Sequence, residues 1–350
     1  MLSVPGQKQP DLDELDHSII HALRIDGRLP FSRIAEVLNV STQTIARRYR
    51  RLSTEAALRV VGVVDPRRSS GEKWILRLST RPDTAQRIAE SLARRDDTTW
   101  VRRMAGGNEL CLVTAANSAA NHSLLLREIP RTASITSVSA HRLLHTYLGG
   151  PTAWQGHTAA LSDWQQTQLH EGSGLPNDVD VADPAAPLGL TDWLLLTQLQ
   201  RNGRTSYADL ATETGLSAST VRRRLTALQA DGILTFDVEI GAEMYGITTQ
   251  ALLWMSIAPA HLNRAATILS QHKEVAFLAS TTGQTNLVAL VFCKNPSELH
   301  DYLSDALGSL DSIRVLETSP VQKTLKTCSP FLAGVLRTGQ YGRNLRGASN

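Results

Sequence analysis

Five consecutive residues carry four guanidinium groups, Arg47-Arg48-Tyr49-Arg50-Arg51. Successive residues of an α-helix turn by about 100°, so four cations in five positions cannot share one face. Some of them must lie beside a groove while others point into it, which suits the phosphates of a nucleic acid. A solvated charged surface is the ordinary alternative for such a run. We favour DNA because the cluster lies on the third helix of a recognisable motif.

Capping and apolar residues predict three short helices around this cluster. The first begins near Asp16 and ends at Asp26-Gly27, where Gly readily supplies a helix-ending conformation. The second begins at Ser32, and a turn at residues 39–41 leads into the third, which runs to about Leu52. A short helix, a tight turn and a capped basic helix form the helix-turn-helix pattern. Its third helix normally enters the major groove by its N-terminus.

The whole pattern occurs twice. Residues 16–58 and 192–234 align without a gap at a constant offset of 176 residues, so that Arg47-Arg48 falls on Arg223-Arg224. A period of this length fits a duplicated domain pair and is too long for a solenoid repeat. The sequence therefore predicts two helix-turn-helix domains, of which the second has fewer cations on its third helix.

We predict that both third helices contact DNA, with hydroxyl and amide side chains reading base edges and guanidinium groups holding phosphates. The predicted residues of the first copy are Ser41, Thr42, Gln43, Thr44, Arg47, Arg48, Arg50 and Arg51. Those of the second copy are Ser217, Ser219, Thr220, Arg222, Arg223 and Arg224.

After each helical block the pattern changes to the order βαββαβ, which is a ferredoxin-like arrangement and forms the second half of each repeat. The first copy has strands predicted at 74–78, 99–104, 110–115 and 135–144 and helices at 84–94 and 118–128. The second has strands predicted at 251–257, 275–280, 286–292 and 313–318 and helices at 261–271 and 297–307. The predicted fold class is α+β, with winged-type helix-turn-helix domains alternating with ferredoxin-like βαββαβ domains in an internal duplication.

The predicted domains follow from this order. They are a helix-turn-helix domain at 11–64, a βαββαβ domain at 72–149, a linker at 150–187, a second helix-turn-helix domain at 188–240, a second βαββαβ domain at 248–328, and a flexible tail at 329–350. We refer to residues 11–149 as the first unit and to residues 188–328 as the second unit. Trp154 and Trp164 are unusual in a free linker, and we expect both to dock on a domain because large apolar side chains gain by burial.

Two hairpin turns form a second candidate site. Gly106-Gly107-Asn108-Glu109 and Gly283-Gln284-Thr285-Asn286 occupy equivalent places in the two βαββαβ domains. Gly permits the close approach of a ligand, and the polar side chains suit the ammonium or carboxylate of a small molecule. From the residues alone, an ordinary turn between two strands is favoured over an effector site.

Composition sets further limits. The formal charge of +3, with 42% apolar and 20% charged residues, is typical of an ordinary globular protein and does not by itself establish nucleic-acid binding. Cys111, Cys293 and Cys328 show no metal-binding spacing, and we expect buried thiols in a reducing cytoplasm. Neither His17 with His21 nor His141 with His145 has a third metal ligand. No stretch reaches the length of a membrane span. We therefore expect a cytoplasmic protein without catalysis, cofactor, metal or membrane contact.

These residues resemble the Lrp/AsnC (feast/famine) family of transcription regulators. The motifs Asp26-Gly27-Arg28, Ile34-Ala35 and Arg47-Arg48 carry the resemblance, and they recur in the second copy. It covers about residues 11–148 and again about 188–327. The resemblance implies double-stranded DNA as partner, association with the bacterial nucleoid, dimers or higher oligomers, and an amino acid or related metabolite as effector of the second, RAM-type domain.

Two features depart from that family. Members usually carry one unit and dimerise, so a chain with two units is expected to form a pseudo-dimer and to read an asymmetric site. The family's Gly-x-x-Asp-type turn is matched by Gly283 to Asn286, with Asn for Asp, and more loosely by Gly106 to Glu109.

An architectural DNA binder without a ligand and an enzyme are the alternatives. Sirohaem decarboxylases resemble the same two-domain unit and also occur as fused pairs. They need basic and His side chains in the βαββαβ cleft, for which Arg102, Arg103 and His141 are the candidates. We favour the regulator because Arg-dense third helices are unnecessary for tetrapyrrole chemistry.

Overall fold

The computed structural model describes residues 12–64, 72–95, 97–116, 128–149, 154, 160–173 and 188–327. The first unit contains α1 (Glu14–Ile25), α2 (Phe31–Val37), α3 (Thr42–Glu55), β1 (Arg59–Val64), β2 (Glu72–Thr80), α4 (Ala85–Ala93), β3 (Thr98–Met104), β4 (Glu109–Ala116), the single turn α5 (Ile129–Arg131) and β5 (Ile135–Leu148). These elements confirm the predicted helix-turn-helix followed by four strands. The predicted helix at 118–128 lies outside the described residues apart from Glu128.

The second unit follows a linker helix and repeats the order. The elements are α6 (Asp163–Ser173), α7 (Leu190–Arg201), α8 (Tyr207–Thr214), α9 (Ala218–Ala230), β6 (Leu234–Glu239), β7 (Thr249–Ile257), α10 (Leu262–Leu269), β8 (Val275–Thr281), β9 (Leu287–Cys293), α11 (Pro296–Asp301) and β10 (Ile313–Thr324). A π-helical segment, Tyr302–Leu307, continues α11, so the two together fill the helix predicted at 297–307.

The helix-turn-helix domains share one apolar core. Ile19, Ile20 and Leu23 recur at helical spacing on α1 and are fully buried, as are their counterparts on α7. A strand follows each domain, and β1 runs antiparallel to β6, from Arg59 opposite Glu239 to Val64 opposite Leu234. This ribbon was not predicted. It joins the two domains because its apolar residues enter the same core as both sets of helices.

The two βαββαβ domains close into a single barrel. Each contributes an antiparallel sheet, ordered β3-β4-β2-β5 in the first unit and β8-β9-β7-β10 in the second. Strand β5 pairs with β8, and β10 pairs with β3, at two junctions that the duplication makes equivalent. Side chains from both sheets, including Ile75, Leu252 and Trp254, pack inside. The two units of one chain therefore pair as two subunits of a homodimer would.

The linker contributes one of its two tryptophans to this body. Trp154 packs edge-on against Tyr245 and Phe292, with ring centroids 5.4 and 5.0 Å away. The expectation for Trp164 is wrong, because this side chain is 65% exposed. Leu169 anchors α6 in the core, and Trp164 lies about 140° around the helix from it. Most of the predicted linker, the predicted tail and Cys328 lie outside the described residues.

Cys111 and Cys293 are buried, and burial raises the pKa of each thiol to about 12. Neither thiol is therefore poised as a nucleophile at neutral pH. Among the described residues, His, Cys, Asp and Glu side chains form no group of three that could hold a metal ion. Within the same ranges, each helix is too short or too polar to cross a bilayer.

Candidate nucleic-acid interface

The N-termini of α3 and α9 are built alike. Ser41 caps α3, where its Oγ accepts a hydrogen bond of 3.1 Å from the Thr44 amide. Ser217 caps α9 in the same way, with 3.1 Å from the Thr220 amide to its Oγ. A capping side chain fixes the start of a helix, and the remaining amides of the first turn suit a phosphate. The structure thus exposes two equivalent helix N-termini with polar side chains.

Most of the predicted contact residues are exposed on these two helices. In the first unit the exposed ones are Ser41, Thr42, Gln43, Arg47 and Arg50, while Thr44, Arg48 and Arg51 are partly buried. In the second unit Ser217, Ser219, Arg222, Arg223 and Arg224 are exposed, and Thr220 is partly buried. The exposed set presents cations and short polar groups together, as contact with a DNA groove requires.

Arg48, Arg51 and Arg224, which were predicted to contact DNA, form ion pairs within the protein. Arg48 and Arg51 both bind the fully buried carboxylate of Asp16, and Arg48 also lies 2.5 Å from Asp13. In the second unit Arg224 grips Asp192 with two hydrogen bonds of 2.5 and 2.6 Å.

These contacts connect the third helix of each domain to its first helix, and the Arg224 hydrogen bonds hold the pKa of Asp192 below its usual range. Removing Arg224 would leave the buried Asp192 carboxylate without its guanidinium partner, whereas Asp16 would keep one of its two arginines. The structure therefore gives Arg48, Arg51 and Arg224 a packing role that the sequence analysis did not foresee.

A reciprocal pair of arginine contacts between the two helix-turn-helix domains, here called the clasp, was also not predicted from the sequence. Arg28 donates hydrogen bonds of 2.6 and 3.0 Å to the carbonyls of Gly203 and Thr205. Arg204 donates bonds of 2.6 and 3.0 Å to the carbonyls of Gly27 and Leu29. Each guanidinium also covers an aromatic ring, Tyr207 at 4.8 Å for Arg28 and Phe31 at 4.4 Å for Arg204.

Close approach at the clasp requires glycine. A Cβ on Gly27 would lie 2.6 Å from Val60 Cγ1 and 2.9 Å from Phe236 Cβ. The Gly203 amide donates a hydrogen bond of 2.7 Å to the Val60 carbonyl, so the backbones meet there as well. The available signal was the Gly-Arg pair recurring at the same offset in both copies. Its function is to fix one helix-turn-helix domain against the other.

The hairpin turns have the predicted backbone but not the predicted free side chains. Gly106, Gly107 and Gly283 have φ of 98°, 78° and 113°, which favour glycine. Glu109 forms an ion pair of 2.7 Å with Arg77. Asn286 bonds the Ile257 backbone with both ends of its amide, at 2.7 and 2.9 Å. Asn108 and Gln284 remain exposed, so the turns offer fewer polar side chains to a ligand than the sequence suggested.

The three candidates for tetrapyrrole chemistry lie on two strands of the first unit's sheet. Arg102 and Arg103 lie on β3, whereas His141 lies on β5 at the opposite edge of the same sheet. Arg103 donates to Gln86 at 2.8 Å, and Arg102 covers the Trp100 ring at 4.6 Å.

His141 instead joins the two units. Its Nδ1 lies 2.8 Å from the Thr282 carbonyl, and its Nε2 lies 2.8 Å from Ser139 Oγ. A carbonyl only accepts, so Nδ1 carries a proton, and in the neutral ring Nε2 accepts from Ser139. This His therefore links β5 to the hairpin turn of the second unit.

Comparison with known proteins agrees with this geometry. A model of the AsnC-type helix-turn-helix domain matches residues 12–53, and one of a winged helix-turn-helix DNA-binding domain matches residues 189–235. A model of the Lrp/AsnC ligand binding domain matches residues 250–331. An uncharacterized HTH-type transcriptional regulator of Pyrococcus furiosus is 32% identical over 129 residues, which are 37% of this chain and 87% of that protein. The chain belongs to the Lrp/AsnC family.

Further relatives place this Lrp/AsnC chain among DNA-binding transcriptional regulators. HTH-type transcriptional regulator FL11 of Pyrococcus horikoshii is 28% identical over 141 residues, which are 40% of this chain and 93% of that protein. Among solved structures, the siroheme decarboxylase NirDL has a TM-score of 0.60 with 11% identity, over 90% of this chain and 93% of that one. At such low identity this likeness concerns the fold alone.

Proposed function

We propose that one chain of this Lrp/AsnC regulator reads an asymmetric DNA site with its two unlike recognition helices. The observation that carries the proposal is the Arg28–Arg204 clasp, which holds both helix-turn-helix domains of a single chain in one body. Two fixed domains define one spacing on the duplex. Because α3 and α9 differ in sequence, the two half-sites differ as well.

The exposed side chains support different roles for individual residues. Gln43 carries an amide able to pair with both edge atoms of an adenine, whereas its counterpart Ser219 has only a hydroxyl. Arg47 and Arg223 are exposed at equivalent positions and suit phosphates on either side of the groove. We propose Arg48, Arg51 and Arg224 as residues that orient the recognition helices rather than as direct readers.

The test is a selection of genomic DNA fragments with the purified chain at about 150 mM salt, where non-specific phosphate attraction is screened. An asymmetric motif supports the proposal, and a palindrome contradicts it. Q43A and S219A form a matched pair of variants. Each is expected to relax sequence preference in a different half of the motif, whereas the exposed control R87A, on α4, is expected to leave both halves unchanged.

We propose an amino acid or a related metabolite as effector, bound near the hairpin turns. The match to a ligand binding domain over residues 250–331 supports this, as do the positive φ angles of the turn glycines. An effector alters DNA affinity only if it binds two domain arrangements with different affinities. Thermal stability measured with each amino acid in turn should show a shift for the effector, and Q284A should diminish it. Equal stability with every compound would refute the proposal.

We propose that the chain is not an enzyme and that it acts on the chromosome in the cytoplasm. The overall likeness to NirDL keeps a tetrapyrrole function as the second candidate. The hydrogen bonds of His141 to Ser139 and to the Thr282 carbonyl argue against it, because a ring held by protein groups on both nitrogens is not free to donate a proton to a substrate. Titration with sirohaem, followed by its absorbance spectrum, distinguishes the two. Saturable binding with loss of carboxylate groups would overturn the regulator assignment.

A further inference from the structure

An arginine and a tryptophan occupy equivalent positions at the centre of the barrel. Arg77 on β2 lies opposite Cys111 on β4 and Ser139 on β5. Trp254 on β7 lies opposite Val288 on β9 and Glu317 on β10. The duplication therefore relates Arg77 to Trp254. The guanidinium carbon of Arg77 lies 5.0 Å from the centre of the Trp254 ring, so equivalent residues touch across the local twofold axis.

The residues around Arg77, on one side of this axis, are charged. Arg77 Nη1 and Nη2 donate hydrogen bonds of 3.0 and 2.5 Å to the two carboxylate oxygens of Glu317, which belongs to the second unit. Arg77 Nε donates a bond of 2.7 Å to Glu109 of its own unit. The two carboxylates raise the pKa of Arg77, and Arg77 lowers the pKa of Glu317. Such a two-pronged contact between Arg and a carboxylate is strong and depends on geometry.

The residues around Trp254, on the other side of the axis, are neutral at the equivalent positions. Trp254 replaces Arg77, Ser139 replaces Glu317, and Asn286 replaces Glu109. His141 completes this half, with its ring 5.3 Å from the ring of Trp254. The inner faces of the two units therefore differ. The first unit supplies the cation of Arg77, and the second unit supplies the ring of Trp254 and the carboxylate of Glu317 that contact it.

We infer that the Arg77–Glu317–Trp254 contact is a pairing code that admits a first unit only with a second unit. Two first units would bring two Arg77 side chains together on the axis, each facing Ser139 where Glu317 should be. Two second units would stack Trp254 on its copy and leave each Glu317 without its cation. Like charges juxtaposed and carboxylates left unpaired disfavour both combinations.

The code selects unlike units, and the chain connection selects units of the same chain. Residues 174–187 separate α6 from the second unit, and 14 residues span at most about 50 Å when extended. A short connection raises the effective concentration of the second unit, so pairing within one chain prevails over exchange between chains. This inference concerns pairing alone and does not depend on the proposed DNA site.

The test uses two full-length variants, R77E and E317R, carrying different tags. Each places like charges against each other within its own chain. Mixed together, R77E and E317R restore one Arg–Glu contact of each polarity if the units exchange between chains. We expect co-refolding from denaturant to give at least about ten times more mixed dimer than two tagged wild-type chains, a change of about 1.4 kcal/mol. Native mass spectrometry distinguishes the dimer from the 38.2 kDa single chain.

A matched ion pair inside one unit provides the control. Arg95 lies 2.6 Å from Glu128, and both residues belong to the first unit. R95E mixed with E128R should give no more mixed dimer than wild type, because exchange cannot restore that contact. The double variant R77E/E317R should return to a single chain. The inference is overturned if folded R77E and E317R form no more mixed dimer than the R95E and E128R pair.

Neutral substitutions serve if the charge reversals fail to fold. R77M, E317Q and the double variant form a cycle in which the free energies of unfolding are compared. Coupling between the two sites is expected to make the double variant more stable than the sum of the single effects predicts. Additive effects would show that the contact carries no pairing information.

Discussion

Replacing Arg28 by Ala should loosen one helix-turn-helix domain from the other. The substitution removes two hydrogen bonds, of 2.6 and 3.0 Å, from a guanidinium to the carbonyls of Gly203 and Thr205, together with its stacking on Tyr207. Hydrogen bonds to charged groups contribute about 1.5–3 kcal/mol each, and contributions that share one side chain are not additive. We therefore expect the free energy of unfolding to fall by about 3 kcal/mol.

Urea denaturation followed by circular dichroism measures this loss. R204A should cost a similar amount, because its bonds to Gly27 and Leu29 have the same lengths. Combining R28A with R204A should cost less than the sum, since the first change already separates the domains. R28K should recover only part of the loss, because an ammonium lacks the planar fork that reaches two carbonyls.

DNA binding provides the second readout of this prediction. Loss of the fixed spacing should weaken binding to a complete site more than binding to a half-site. The exposed variant R87A should change neither stability nor affinity. The reasoning is refuted if R28A unfolds at the wild-type urea concentration while R87A behaves as a valid control.

Three further outcomes are expected. R47A should weaken binding to every DNA sequence and reduce the slope of binding affinity against salt concentration by about one. R48A should mainly lower the free energy of unfolding, because Arg48 binds the buried Asp16. Electrophoretic mobility shifts at several salt concentrations measure the first effect, and urea denaturation measures the second. G283A should destabilise the barrel more than G107A, because both have positive φ but only the Cβ of the first meets another side chain, at 2.5 Å; melting temperatures decide. Burial, together with the nearby carboxylate of Glu239, raises the pKa of Asp237 to about 8, so this carboxyl favours the protonated form in the folded chain. Stability should then fall as the pH rises from about 4 towards 8, and D237N should remove that decline; an unchanged dependence of unfolding free energy on pH would contradict it.

The local signals in the sequence were sufficient for the helices and for most strands. Asp13 rather than Asp16 caps α1, and α2 begins at Phe31, one residue before the predicted cap Ser32, so these two starts were predicted only approximately. The Ser41 cap acts within a few residues and predicts the start of α3 without knowledge of the fold. The same holds for the alternating strands around the turns at Gly106 and Gly283. The duplication also predicted part of the tertiary structure, because two copies of one pattern in a chain are expected to pair with each other.

Contacts between distant segments were beyond sequence reasoning. Strands β1 and β6 each gain their partner from the other unit, so neither shows a hairpin signal of its own. From the sequence, Asp16 was predicted to cap a helix, and Arg48 and Arg51 were predicted to contact DNA because they belong to a run of positive charges. In the structure both arginines instead form ion pairs with the buried Asp16. Glu109 and Asn286 look free in a turn, but their partners Arg77 and Ile257 lie on neighbouring strands. Which polar groups remain available is decided by tertiary packing.

The most direct test of one chain reading one asymmetric site is the stoichiometry of the complex. Native mass spectrometry of the protein with its selected DNA fragment counts the 38.2 kDa chains bound. We predict one chain on the minimal site, with inversion of either half-site abolishing specific binding. The prediction would be contradicted if two chains bound a palindromic minimal site and if inverting either half-site left specific binding intact. That result would show that like domains from separate chains meet on the DNA.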